Sequence, residues 1–446
     1  MKRGELDLRI KECAKNFLEI SKNKPIEIVS HFDTDGITSA AIIIQALKKI
    51  DRKFSLRILK SLTKETIKSL PKEKIILFLD LGSGSINLIK KTEIKDIFIL
   101  DHHEISEQEL ENIHMVNPQL FEKQRISSSG IAYLFCKELN ETNKELAKLA
   151  ILGMIGDSLE KNIDELNHGI LQDGEIIQKK GILIYPSTRP LNRTLELCSD
   201  PFIPGVTGDS EGVRELLRQS GIKPENGKYK NLIDLNEDEM EKLTTNILLR
   251  NPKIKNKDLI GNIYLLKFFG KLEDAREMSA KINACSRFGE SNVALMLCLE
   301  NQDAKKKAEA IHAKYKQMLI SGIKKVNELN KIEGKGFAII NADKEIKDTM
   351  IGTITSILSY SSNYEEETII IGLAKYDDKI KVSARTVGNK GRNTRQILED
   401  VVKITGGEVG GHEFASGCII PQEKEKEFLE LLKKNLELQV IKIVNP

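Results

Sequence analysis

The chain has 446 residues, of which 40% are hydrophobic and 30% are charged, and its formal net charge is only +3. This length exceeds one ordinary hydrophobic core, so about two or three domains are expected. No apolar run approaches the roughly 18 residues of a transmembrane helix, and no basic tail is present, so we expect no membrane association and only a local basic cleft for nucleic acid. None of the six cysteines forms a CxxC pair, which argues against a zinc cluster and indicates core thiols of a cytoplasmic protein.

The first third of the chain alternates predicted strands with predicted helices. These elements are a helix within residues 1–20, strands at 26–29, 74–79 and 96–100, and helices at 36–50, 131–139 and 144–154. The strands are continuous apolar runs, as in strands that are buried on both faces. This pattern predicts an α/β fold with a doubly wound parallel sheet, in which ligands bind beyond the carboxyl ends of the strands.

The rest of the chain changes character twice. Amphipathic helices dominate residues 158–310, apart from a loop at 185–210, and a long helix is predicted at 302–330. The last lobe is mixed, with a strand at 337–340, a hairpin of 367–375 and 379–385, a helix at 394–404, a glycine-rich stretch at 406–417, a further strand and a closing helix at 423–436. We predict three domains, namely a parallel-sheet domain at 1–190, a helical middle region at 191–330 and a mixed α/β domain at 331–446.

Four short segments place acids or histidines at or just beyond hydrophobic runs, although the chain has only 7 histidines. The residues are His31, Asp33, Asp35, Asp80, Asp101, His102, His103 and Asp157. Acids that follow neighbouring parallel strands meet at one edge of the sheet. Each residue alone is explained by a turn or a loop, but their joint occurrence favours a single site.

The chemistry of this set predicts a metal site. Carboxylate oxygens are the preferred ligands of hard divalent cations, and imidazole shifts the preference towards Mn, Fe, Co or Zn. Four aspartates and two histidines suit two ions, which in such sites lie roughly 3.5–4 Å apart and clamp the attacking and leaving oxygens of a phosphoryl displacement. The set contains no thiolate, which argues against structural zinc.

These segments resemble the DHH phosphoesterase superfamily, named for the motif that Asp101, His102 and His103 match. Gly410-Gly411-His412 resembles the signature of the companion DHH-associated domain. Residues 279–289 (SAKINACSRFG) resemble the Asn-Ala-x-x-Arg element of RecJ-type nucleases, and 201–205 (PFIPG) resemble a segment of the archaeal RecJ-like group. The motifs follow one another in the family's order, and the resemblance covers nearly the whole chain.

The resemblance implies a role for each residue. The first metal would be held by His31, Asp33 and Asp80, and the second by Asp35, Asp80, His102 and Asp157, with Asp80 as the bridge. His103 would face the scissile phosphate or orient the attacking water, and Asp101 would steady the histidines. A substrate phosphate would be bound by Arg385, Gly410, Gly411 and His412. For Asn283 and Arg287, a structural role and a substrate-binding role are weighed equally.

The resemblance also implies a function. We expect a hydrolase that is RecJ-like and archaeal, a metal-dependent exonuclease acting from an end of single-stranded DNA or RNA. By analogy with the shorter archaeal members, the expected direction is 3′→5′. The expected cofactors are two Mn²⁺ ions, with Mg²⁺ or Co²⁺ as alternatives, and the expected partner is a helicase or GINS-type protein of replication or repair. A homo-oligomeric state is left open. From its length we expect no added OB-fold domain of the kind that bacterial RecJ has.

Two other functions stay open on the sequence. A nanoRNase or cyclic-dinucleotide phosphodiesterase shares the two lobes, although members that act on small substrates are usually shorter. A scaffold with weak activity is the other, because some relatives in replication complexes have lost their metal ligands. Here every ligand position is occupied, which argues against a scaffold.

Overall fold

The fold is known from a computed structural model, which describes residues 3–106, 112–121, 125–161, 163–199, 201–252, 254, 259–360, 364–388 and 390–438. Its helices are α1 (Arg3–Ile20), α2 (Thr34–Lys49), α3 (Lys64–Lys68), α4 (Ile86–Ile89), α5 (Ser128–Leu139), α6 (Ala147–Gly156), α7 (Glu165–Asp173), α8 (Leu191–Glu196), α9 (Ser210–Gln219), α10 (Glu237–Arg250), α11 (Ala275–Arg287), α12 (Ser291–Cys298), α13 (Gln302–Glu328), α14 (Asp348–Ser359), α15 (Thr394–Thr405) and α16 (Glu425–Glu437). Its strands are β1 (Ile26–His31), β2 (Phe54–Leu59), β3 (Ile75–Leu79), β4 (Ile97–Leu100), β5 (Ile113–Val116), β6 (Ile177–Ile182), β7 (Ile260–Phe268), β8 (Lys271–Asp274), β9 (Lys331–Gly334), β10 (Phe337–Asn341), β11 (Ile369–Tyr376), β12 (Lys379–Thr386), β13 (Glu408–His412) and β14 (Ala415–Pro421).

The N-terminal sheet has the strand order β2-β1-β3-β4-β5, and all neighbouring strands are parallel. Successive side chains of each strand alternate between two hydrophobic layers on opposite faces of the sheet. Ile28 and Leu77 belong to the layer that contains α1, α2, α5 and α6, whereas Val29 and Phe78 belong to the layer that contains α3 and α4. Burial on both faces explains the continuous apolar strands and confirms the doubly wound sheet. The chain order reverses between β1 and β3, which places a ligand crevice at their carboxyl ends.

The helix expected within residues 1–20 forms as α1, and its apolar face is buried. Its members Leu6, Ile10, Cys13, Ala14 and Phe17 are each at most 2% exposed. The Phe17 ring contacts the rings of Phe98 and Phe135 edge-on, with centroids 5.1 and 5.4 Å apart. Full burial of a large apolar side chain contributes about 1.5–3 kcal/mol, so this face holds α1 firmly on the sheet.

The chain divides into two compact units. The first contains Met1–Lys180 and Gly261–Ala313, and the second contains Gly181–Ile260 and Lys314–Pro446. Each unit is therefore built from two separate stretches of sequence. The division into three domains expected from the sequence stays a prediction. The middle of the chain is mainly helical, as expected, but β6, β7 and β8 also form a three-stranded sheet that the sequence did not predict.

The C-terminal sheet has the order β13-β14-β12-β11-β10-β9. Strands β10 and β11 are parallel and the other neighbours are antiparallel, which confirms the predicted mixed α/β lobe. The predicted hairpin corresponds to β11 and β12, with Tyr376 opposite Lys379 at its turn. Part of the glycine-rich stretch is not a loop, because it forms the edge strand β13.

None of the helices among the described residues is both long enough and apolar enough to cross a membrane. The six cysteines are free and buried, in agreement with the core role expected of them.

Candidate metal centre

The carboxyl edge of the N-terminal sheet gathers side chains that are far apart in the sequence. His31 is the last residue of β1, Asp80 follows β3 and Asp101 follows β4. Asp33 is the N-cap of α2 and accepts a hydrogen bond from the Gly36 N–H at 3.0 Å. Because β1, β3 and β4 are adjacent and parallel, their carboxyl ends bring these acids to one place.

A first group of ligand atoms comes from His31, Asp33 and Asp80. The His31 Nδ1 atom lies 3.1 Å from Asp33 Oδ2 and 3.1 Å from Asp80 Oδ2. One ligand atom of each residue lies within 4.8 Å of the other two, a spacing that could hold a metal ion.

A second group comes from Asp35, His102 and Asp157. The His102 Nε2 atom lies 3.4 Å from Asp157 Oδ2 and 3.5 Å from Asp80 Oδ1. Asp80 also groups with His102 and His103. One oxygen of Asp80 thus faces His31 and the other faces His102, so this carboxylate lies between the two groups.

No lysine or arginine of the described residues pairs with the acids of this site. Within the described part of the chain, the cationic side chains that pair with Asp33, Asp80, Asp101 and Asp157 are histidines. The Asp157 Oδ2 atom is buried and accepts no hydrogen bond from any described residue. A buried carboxylate without a donor needs a proton or a cation. The residues present therefore fit a divalent ion.

The pKa values of the acids reflect this crowding. Burial, followed by the negative charge of Asp35, raises the pKa of Asp80 and of Asp157 well above the usual range. At Asp33, burial also raises the pKa, but the hydrogen bond and charge of His31 outweigh it and lower the pKa to about 2. Protons therefore compete with a metal ion for Asp80 and Asp157 more strongly than they would for ordinary aspartates.

Asp101 fixes the His103 ring. Asp101 is 1% exposed and accepts hydrogen bonds from the N–H groups of Ser83 at 3.0 Å and His102 at 2.8 Å. The His103 Nδ1 atom lies 2.8 Å from Asp101 Oδ1, and this bond raises the pKa of His103. The His103 side chain is 51% exposed, so its ring is held on one side and open to solvent on the other.

Asp35 is held in a closed space at the N-terminus of α5. Its carboxylate oxygens accept the N–H groups of Ser128 at 2.7 Å and Ser129 at 3.0 Å. Each oxygen keeps a further lone pair for a cation. A Cβ atom at Gly153 would lie 2.4 Å from Asp35 Oδ1 and 2.1 Å from Ser129 Oγ, so only glycine fits on this turn of α6.

Ser128 is a site residue that the sequence reasoning did not single out. Its N–H binds Asp35, and its hydroxyl donates to Asp80 Oδ1 at 3.0 Å, so one buried residue contacts an acid of each group. Ser127 is the N-cap of α5, a position where serine is common, but a serine run before a helix does not by itself identify partner acids.

We expect Ser128→Ala to weaken manganese binding and phosphodiester hydrolysis by about 10–100-fold, the usual effect of removing a hydrogen-bond partner of a metal ligand. Ser129→Ala is the matched control, because Ser129 is equally buried but its hydroxyl donates to the Ala150 carbonyl at 3.1 Å. Titration calorimetry with Mn²⁺ compares the manganese affinity of the two variants, and thermal melting compares their stability. Equal loss of manganese affinity in both would contradict a specific role for Ser128.

The helix α11 carries the Asn283 and Arg287 pair expected from the sequence. The Ser279 carbonyl of this helix accepts a hydrogen bond from Thr34 Oγ1 at 3.3 Å, and Thr34 lies between the candidate ligands Asp33 and Asp35. Arg287 Nε donates to Asn283 Oδ1 at 3.1 Å. The two residues therefore contact each other on a helix that packs against the site, and both a structural and a substrate-binding role stay open for them.

The C-terminal lobe places Arg385 and His412 on one face of its sheet. Arg385 of β12 is opposite Ala415 of β14, and Ala415 is opposite His412 of β13. Residues directly opposite one another point to the same face, and two strand spacings separate Arg385 from His412 by roughly 10 Å. Gly410 and Gly411 are exposed on the same edge strand.

Three family models match the chain. They are the DHH family N-terminal domain at residues 25–154, the DHH-CID domain at 184–256 and the DHHA1 domain at 326–438. An uncharacterized protein of Methanocaldococcus jannaschii is 32% identical over 425 residues, which are 91% of each chain. This chain belongs to the DHH family. The family membership expected from the motifs is confirmed.

Other relatives of this DHH protein match less of the sequence or only the fold. YorK of Bacillus subtilis, named as a prophage-derived single-strand DNA-specific exonuclease, is 26% identical over 258 residues, which are 51% of this chain and 44% of YorK. The structure of exonuclease RecJ bound to manganese has a TM-score of 0.61 at 16% identity, covering 96% of this chain and 95% of RecJ. CDC45 from Entamoeba histolytica has a TM-score of 0.70 at 12% identity, covering 97% and 99%. These two structures share the fold, and the RecJ-like architecture expected from the sequence is confirmed.

Proposed function

We propose that this DHH protein is a metal-dependent exonuclease that hydrolyses phosphodiester bonds of single-stranded DNA or RNA from an end. The observation that carries the proposal is the position of Asp80 between two ligand groups, His31 with Asp33 and His102 with Asp157. Such a shared carboxylate suits two neighbouring divalent ions. The similarity to YorK and to exonuclease RecJ supports nucleic acid as the substrate.

The residues of the site would divide the work as follows. Two divalent ions supply, when bound, the Lewis acidity that activates water and stabilises the leaving oxygen. The first group and the second group would hold one ion each, and Asp80, which lies between the groups, would contribute a ligand to both. Asp101 orients His103, whose exposed ring can orient water or contact the scissile phosphate.

Manganese is the proposed ion. Histidine in each ligand group favours a transition metal over an ion that prefers oxygen alone, and the RecJ neighbour was solved with manganese. We further propose 3′→5′ direction and a helicase or GINS-type partner, both by analogy with the shorter archaeal RecJ-like members.

The test uses end-labelled strands with Mn²⁺. The single strand should be shortened stepwise, while the matching blunt-ended duplex and a closed single-stranded circle should persist. A label at either end reveals the direction. Excess EDTA should stop the reaction. Equal digestion of duplex and single strand, internal cuts in the circle or activity in EDTA would contradict the proposal.

A series of strand lengths separates the exonuclease from the smaller-substrate alternative. Comparable turnover on strands of five and thirty nucleotides supports an exonuclease. Turnover confined to dinucleotides and trinucleotides or to cyclic dinucleotides would support a nanoRNase or cyclic-dinucleotide phosphodiesterase. Strand binding without any hydrolysis would support a scaffold.

A further inference from the structure

Phe32 is an aromatic side chain placed between two metal-ligand positions. It lies between His31 and Asp33 in the bend that joins β1 to α2. Its ring meets the His31 ring edge-on, with centroids 5.0 Å apart and planes at 86°. The side chain is half-buried, so part of its surface is open at the ligand-rich edge of the sheet.

The packing of Phe32 differs from that of the other aromatic residues of the N-terminal sheet. Phe78 and Phe98 are fully buried in the layers on either side of the sheet. Within the described part of the chain, Phe32 is not among the residues that pack against these two layers. Its apolar area therefore adds little to the core, although the chain has only 14 phenylalanines and 8 tyrosines and no tryptophan.

A partly exposed ring beside a phosphodiester site has a natural ligand in a nucleobase. Every base presents an apolar π-face, and stacking on an aromatic side chain contributes about 1–3 kcal/mol per base without sequence preference. The ligand groups would supply contacts to the phosphate, but their carboxylates offer no aromatic face on which a base could stack. Phe32 is adjacent in sequence to His31 and Asp33, so a base joined to the scissile phosphate lies within its reach.

We propose that Phe32 stacks on the base of a nucleotide joined to the scissile phosphate and thereby places that phosphate on the metal centre. This inference rests on the proposed function, because it takes the substrate to be a nucleic acid strand. It adds a base-binding contact on the N-terminal unit, and it predicts a requirement for a base that is independent of base identity.

Three substitutions separate stacking from simple bulk. Phe32→Ala removes the ring, Phe32→Leu keeps apolar volume without a π-face, and Phe32→Trp keeps the π-face. Each is compared on a labelled strand and on the same strand with abasic residues at the end to be cleaved. Manganese binding and melting temperature of each variant report whether His31 and Asp33 are undisturbed.

We expect Phe32→Ala and Phe32→Leu to weaken strand binding and raise KM by about 5–100-fold, and Phe32→Trp to stay near wild type. The abasic strand should already be a poor substrate for the wild type and should lose little more with Phe32→Ala. A terminal 2-aminopurine should lose fluorescence on binding to wild type and Phe32→Trp but not to Phe32→Ala. Equal losses on both strands, or full function of Phe32→Leu, would overturn the inference.

The same measurements distinguish this inference from the proposed function. Strand binding that depends on Phe32 without any hydrolysis would remove the exonuclease proposal and leave the stacking contact standing. Hydrolysis of single strands that is unchanged by Phe32→Ala would remove the stacking proposal and support the exonuclease proposal. If no strand is bound or cut by the wild type, both proposals fail.

Discussion

Replacing Asp80 with asparagine should abolish hydrolysis and remove most manganese binding. Asp80 is 1% exposed, and its two oxygens face different ligand groups, so its loss removes a ligand from both. The effect should exceed the roughly 10–100-fold loss typical of a residue that only supports a metal ligand. Asparagine preserves the shape of the side chain and can accept the Ser128 hydroxyl, so the fold should survive.

The same substitution should stabilise the metal-free protein at neutral and higher pH. Burial, followed by the charge of Asp35, raises the pKa of Asp80 in the folded state. A carboxyl whose folded pKa lies above its unfolded value favours folding less as the pH rises from the unfolded value through the folded one. Asparagine has no proton to lose, so the free energy of unfolding of the variant does not fall in this way as the pH rises. The difference in stability between variant and wild type should shrink below about pH 4, where the carboxyl of the unfolded wild type is also protonated.

Melting curves in EDTA at pH 4 and pH 8, with manganese titrations and turnover at pH 8, test both expectations. Asp173→Asn is a useful control, because Asp173 pairs with Lys137 outside the site and the pKa of Asp173 is lowered. That control should lose stability and keep manganese. Wild-type turnover in Asp80→Asn, or a metal-free melting temperature below that of wild type at pH 8, would show that Asp80 is not a crowded metal ligand.

Joint replacement of Arg385 and His412 by alanine should reduce turnover on oligonucleotides by about 100-fold, the scale of loss when a reacting group is misplaced. The two residues share one face of the C-terminal sheet at a spacing that suits a phosphate group of a strand. Arg385 is fixed by Nε donating to Ser356 Oγ at 2.9 Å and by a further bond to the Ser416 carbonyl at 3.1 Å. A fixed guanidinium loses little entropy when it binds an anion.

A small chromogenic phosphodiester without a second phosphate should be affected much less by this double substitution, and manganese binding should not change. Arg218→Ala removes an exposed arginine of the same unit that pairs with Glu215, and it should leave both substrates unaffected. A proportional loss on both substrates, or a loss of manganese, would show that this face does not bind a substrate phosphate.

Much of the fold could be predicted from the sequence because it is encoded in local patterns of apolar residues. The strands β1, β3 and β4 are apolar throughout since they are buried on both faces, and this pattern predicts their place in a parallel sheet. The edge strand β2 was missed because every one of its residues is half-exposed, so it shows no continuous apolar run. Strand β5 is mostly buried, but its four residues are interrupted by His114 and are too few to give a clear pattern. Strand β13 was missed because two of its five residues, Gly410 and Gly411, are glycine, which is depleted in strands.

The sequence by itself determined the family and the set of candidate ligands, because the order of acids and histidines after apolar strands is a property of the chain alone. Only the tertiary structure showed which other residues hydrogen-bond to the candidate ligands and pack around them. Ser128 hydrogen-bonds to Asp35, 93 residues away in the sequence, and to Asp80, 48 residues away. Thr34 hydrogen-bonds to the Ser279 carbonyl, 245 residues away. Contacts at such separations depend on how helices pack on the sheet, and no periodicity or motif in the sequence specifies them.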